Sequence, residues 1–188
     1  MIKYIIGTLI KLFYKLINLK CGKKVIRIDP KVPWYRQLLW FYSNPTKIVS
    51  NLYLGSSFNA YDLEILKKLN INVIINVTKE MGNFHQDNLK LTYYKYPIYD
   101  DNNDDISDIL TESCEIIDYH LNTNDIILVH CYMGASRSAS VVINYLMFKL
   151  NLNYKSALAY VKEKRPIINL SEKFNQTLIQ SISNPIAS

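Results

Sequence analysis

Cysteine is scarce: Cys21, Cys114 and Cys131 are the whole supply in 188 residues, they lie far apart, and no CxxC pair exists. That excludes a disulfide scaffold and a zinc ribbon, and it points to a reducing, cytoplasmic compartment. His85 and His120 have no partner at metal-ligand spacing, so both read as ordinary surface or loop histidines and no metal site is expected. Long apolar runs are missing too. Lys3, Lys11 and Lys15 interrupt the greasy start, so no stretch reaches the roughly 18 residues of a membrane span. Repeats and low-complexity tracts are absent. A composition 49% hydrophobic and 20% charged excludes wholesale disorder.

Acidic residues are absent from residues 1–28, which hold seven basic ones. The net charge of +6 therefore belongs to this segment, because residues 29–188 carry fifteen basic against sixteen acidic groups. A body so balanced is not a nucleic-acid binder. On a helical wheel Lys3, Lys11 and Lys15 share one arc, with Ile5, Leu9, Leu12, Phe13 and Leu16 mostly away from it. Residues 1–20 thus read as a basic amphipathic helix. It suits a membrane surface, with Cys21 placed for a palmitoyl group, and equally a contact with its own domain or a second copy of the chain.

From residue 34 onward the pattern alternates. WYRQLLWFY (34–42) reads as a short helix or aromatic anchor, Lys47–Leu54 as one strand and Tyr61–Leu69 as a helix. Asn72–Val77 and Leu91–Tyr96 are strands, and Ile106–His120 is a helix after an acidic loop. Asp125–His130 is apolar and β-branched, as a buried central strand should be, and helices are expected at 137–150, 154–164 and 172–182. Such alternation gives an α/β fold: a mostly parallel central sheet flanked by helices.

The chemistry follows the buried strand. Cys131 stands at its C-terminal end, where parallel sheets form their sites, and Arg137 begins the next helix after five intervening residues. A loop of that length can curl around one tetrahedral anion. The backbone N–H groups of Tyr132, Met133, Gly134, Ala135 and Ser136 would point inward, Gly134 would permit the curve, and the helix N-terminus would add its dipole. The same field stabilises a thiolate, which makes Cys131 a nucleophile. Arg137 offers a planar fork to two oxygens. Cys114, in an amphipathic helix, reads as a small core residue, or as a resolving thiol if the fold brings it to Cys131.

HCYMGASRS (130–138) resembles the HCxxGxxR[ST] signature of the cysteine-dependent protein phosphatases, and its SRSAS ending is most similar to the dual-specificity group. KIVSNLYLGS, VIINVT and VKEKRPIIN with Phe174 resemble further family segments in the right order. The resemblance runs over about residues 45–182, dividing the chain into the basic segment 1–28 and a catalytic domain at 45–184. It implies a two-step reaction without cofactor or metal: Cys131 attacks phosphorus, Arg137 and the loop amides hold the oxygens, and Ser138 helps the thiolate leave. His130 would set the cysteine's surroundings. Pro97-Ile-Tyr-Asp100 fits the family frame for the general acid, so Asp100 is the choice, with Asp101 the alternative. Asp104, Asp105 and Asp108 read as caps and dipole partners of the following helix.

None of Tyr132, Met133 and Ala135 is basic, whereas the superfamily's lipid phosphatases usually carry Lys or Arg in the loop. The resemblance therefore implies a small, stand-alone protein phosphatase with a shallow pocket, acting on phosphotyrosine and on phosphoserine or phosphothreonine. A membrane-associated lipid phosphatase and a non-catalytic phosphoprotein-binding module are the competing readings.

Overall fold

The computed structural model describes residues 33–100 and 104–181. The basic segment, Cys21 and Asp101 lie outside the described residues. A first helix, α1 (Trp34–Tyr42), leads into β1 (Thr46–Val49) and β2 (Leu52–Gly55). The single strand expected at 47–54 is thus a hairpin. Asn51 breaks it with φ 63°, a left-handed conformation that asparagine tolerates better than most residues. Two short helices, α2 (Ser57–Tyr61) and α3 (Leu63–Lys68), replace the one expected at 61–69. Asp62 divides them: its extended backbone ends α2, and its carboxylate accepts from Glu64 N and Ile65 N to cap α3.

The remaining elements fall close to the expected bounds: β3 (Val73–Asn76), β4 (Thr92–Lys95), α4 (Ser107–Asn122), β5 (Ile127–His130), α5 (Arg137–Lys149), α6 (Tyr154–Lys164) and α7 (Glu172–Gln180). The sheet order is β1-β2-β5-β3-β4, parallel throughout except for the β1–β2 hairpin. Strands β3 and β5 are buried at every residue, so their side chains alternate between two cores. Val73, Ile75, Ile127 and Val129 join the core formed with α4–α7, while Ile74 and Leu128 join Ala60, Leu66 and Ile71 on the opposite face. Each such aliphatic side chain contributes roughly 1.5–3 kcal/mol on burial, which makes this pair of strands the centre of the molecule. All four parallel strands run the same way, so β2, β3, β4 and β5 deliver their C-terminal ends to one edge. No helix among the described residues is long and apolar enough to cross a membrane.

Candidate active site

His130 ends β5 between Gly55 of β2 and Asn76 of β3. The chain then turns through 131–136 into α5. Cys131 is 1% exposed, and its Sγ accepts from Gly134 N at 3.2 Å and from Ser138 Oγ at 3.2 Å. Two donors on one sulfur, at the N-terminus of a thirteen-residue helix, favour negative charge there. Gly134 makes the curl possible: its φ is +68°, and a Cβ on it would lie 2.3 Å from the Gly55 carbonyl oxygen. That neighbour is backbone in the central sheet and cannot give way. Gly134→Ala is therefore expected to cost at least about 2 kcal/mol, or roughly 4–8 °C in Tm, measurable by thermal unfolding. An unchanged Tm would mean that the loop slides off Gly55 freely.

Arg137 is 2% exposed and is aimed by residues the sequence reading did not single out. Its Nη1 donates to Glu80 Oε2 at 2.8 Å and to Ile98 O at 3.1 Å, and its Nη2 lies 2.8 Å from Glu80 Oε1. The second prong is at ion-pair distance without hydrogen-bond alignment. Burial alone would lower this guanidinium's pKa, but the charges of Cys131, Glu80 and Asp100 outweigh it and hold the value above the ordinary one. Glu80 arrives on a braced turn after β3. Asn76 Nδ2 donates to Met81 O, Gly82 O and Asn83 Oδ1, Thr78 Oγ1 donates to Asn76 Oδ1, and Lys79 N donates to Ile98 O. A carboxylate four residues beyond a central strand, at the edge where the site forms, was the available signal.

Asp100 comes to the same loop. Ser136 Oγ donates to Asp100 Oδ1 at 2.7 Å and accepts from Ser171 N at 3.3 Å, tying the end of the acidic loop to the curl before α5. Asp104 Oδ2 accepts from Tyr99 N at 2.6 Å. Asp105 does brace the start of α4, accepting from Ser107 N and Oγ. His130 is wholly buried, and desolvation pulls it down to about 4, so it is neutral at pH 7. Its Nδ1 donates to Cys131 O at 3.3 Å.

The side chains of Tyr132, Met133 and Ala135 pack in a third apolar cluster, with Phe41 of α1 and Ile167. Phe41 and Tyr132 rings lie 5.5 Å apart, and Ser57 N donates to Tyr132 O. These residues offer the cradle their backbone only. Arg165, another unanticipated residue, is fully buried behind the loop; in KEKRP nothing but its guanidinium sets it apart from its lysine neighbours.

Two further expectations change. His120 is not a surface histidine but is 6% exposed, with Nδ1 on Asp125 Oδ2 at 2.7 Å and Nε2 on Tyr94 OH at 2.9 Å. It locks the C-terminus of α4 to β4 and to the entry of β5, at the sheet edge opposite the site. Cys114 is core as expected, but it lies beside Tyr145 and Lys149, about 12 Å or more along α5 from Arg137 by helical rise. A disulfide with Cys131 is out of reach, and burial pushes the Cys114 thiol up to about 12.

The model for the dual specificity phosphatase catalytic domain matches residues 52–183. The chain belongs to this family. It is 42% identical over 133 residues to human dual specificity protein phosphatase 9, an alignment covering 71% of this chain and 34% of that protein. The chain spans about a third or less of the curated relatives it matches, including 12% of the Drosophila melanogaster protein phosphatase Slingshot, to which it is 38% identical. Among solved structures, DUSP15 superposes with a TM-score of 0.69 at 31% identity, covering 74% of this chain and 88% of that one. The matched segment contains Cys131, Arg137 and Ser138, while α1 and β1 precede it.

Proposed function

We propose that the chain hydrolyses phosphoproteins, on phosphotyrosine and on phosphoserine or phosphothreonine, through a cysteinyl-phosphate. The carrying observation is the Cys131 Sγ that accepts two hydrogen bonds beside a preset Arg137 fork. The thiolate attacks phosphorus, an S–P bond forms and the P–O bond to the substrate breaks. Asp100, as the acid, gives its proton to the leaving oxygen; as the base, it then takes one from the water that displaces sulfur. Ser138 Oγ steadies the departing thiolate, and Arg137 with the loop amides holds the charged oxygens. Because the Tyr132 and Met133 side chains turn into an apolar cluster, the loop offers no cation for additional phosphates, which favours a phosphoprotein over a phosphoinositide.

A nucleophile that must stay a thiol suits a reducing, cytoplasmic setting. The basic composition of residues 1–28 supports a contact with an anionic membrane surface. Phosphate release from phosphotyrosine, phosphothreonine and phosphoinositide substrates tests the proposal. Asp100→Asn is expected to cut peptide turnover about 10²-fold, read as phosphate release from the phosphotyrosine peptide. Turnover of the lipid alone would overturn the protein-substrate reading, and tight peptide binding without release would make the domain a binding module.

A further inference from the structure

Arg165 follows α6 with no exposed surface, yet among the described residues no carboxylate lies within ion-pair distance of it. Each of its three nitrogens donates to a neutral oxygen: Nε to Gly134 O at 2.7 Å, Nη2 to Met133 O at 3.0 Å and Nη1 to Thr46 Oγ1 at 3.2 Å. The guanidinium carbon also stands 5.4 Å from the Trp40 ring centre, so α1 closes the side left open. An isolated buried cation is costly unless an anion answers it. Burial draws its pKa down to about 10, and the one charge that pushes it back up is Cys131. The site's other buried cation, Arg137, already has Glu80.

We propose that Arg165 is a positioning residue for the reaction, acting through the loop from behind. By taking the Met133 and Gly134 carbonyls outward, it leaves the intervening amides facing the phosphate, including the Gly134 N–H on Cys131 Sγ. Its charge makes the thiolate, and later the bound phosphate, the anion it otherwise lacks. Around Cys131 the other titratable groups are neutral His130 on β5, Arg137 on α5 with its partner Glu80, and Asp100 through Ser136. Arg165 is the positive group among these that no carboxylate offsets.

This inference rests on the phosphatase reading, but its test needs no turnover. Alkylation of Cys131 by iodoacetamide is followed across pH 5–9 by mass spectrometry of the peptide bearing it, with and without inorganic phosphate as protectant. Arg165→Met is expected to move the alkylation profile up by about one pH unit and to weaken phosphate protection about tenfold or more. Arg165→Lys keeps the charge but cannot span two carbonyls, so its profile should stay near wild type while protection weakens. A folded Arg165→Met protein with wild-type profile and protection would overturn the proposal. If that variant does not fold, Arg165→Lys decides: wild-type protection overturns the proposal, and a near wild-type profile with weakened protection sustains it. Failure of wild-type protein to release phosphate from peptides would sink the phosphatase reading while leaving these shifts readable.

Discussion

Cys131→Ser is expected to abolish phosphate release, by about 10⁴-fold or more, while phosphopeptide binding survives. A serine hydroxyl at neutral pH holds its proton far more tightly than a thiol, and neither Gly134 N nor Ser138 Oγ is a base that removes it. The cradle itself should persist. Its curvature comes from Gly134 against Gly55, its rear support from the Arg165 bonds to loop carbonyls, and its fork from the Arg137–Glu80 pair, and none of these hydrogen bonds or close approaches is made to sulfur. Single-turnover phosphate release and peptide titration by calorimetry check the two halves separately. Residual turnover within tenfold of wild type would remove Cys131 from the nucleophile's role. Loss of binding together with turnover would show that the thiolate charge is needed to hold the loop open.

The sequence made the catalytic loop legible because its parts are local. A buried β-branched strand, a cysteine, a glycine and an arginine occur within eleven consecutive positions, 127–137, so period and spacing alone assemble them. The helix bounds at 34–42 and 154–164 were equally local, the latter capped by Asn153 on Ser156 N. What the sequence did not disclose is non-local. Glu80 meets Arg137 across 57 positions and Arg165 meets Gly134 across 31, and each resembles an ordinary surface charge until the sheet order β5-β3-β4 and the return of α6 bring it home. The missed hairpin at Asn51 has a different cause. KIVSNLYL has apolar residues at a spacing compatible with one strand, and only the left-handed asparagine divides it. His120 was misread because its partners, Asp125 and Tyr94, lie on a turn and a neighbouring strand.

Arg137→Lys should be nearly as damaging as loss of the nucleophile, for a reason independent of charge. Removing the cation outright would leave Glu80, whose side chain is 4% exposed, as an uncompensated buried carboxylate, and folding would suffer by about 3–5 kcal/mol. Lysine avoids that by keeping one positive group near Glu80, so Tm should stay close to wild type. It loses the fork, however. One ammonium cannot bond both Glu80 and Ile98 O as Nη1 does while presenting a planar pair of donors to the equatorial oxygens of the transferring phosphoryl group. Those oxygens carry the transition-state charge, so kcat is expected to drop about 10³-fold with a smaller rise in KM. Steady-state kinetics on a phosphotyrosine peptide, beside thermal unfolding, reads both quantities. A rise in KM with kcat intact would mean that Arg137 binds ground state and transition state alike, and the loop amides at the head of α5 would then carry the catalytic stabilisation.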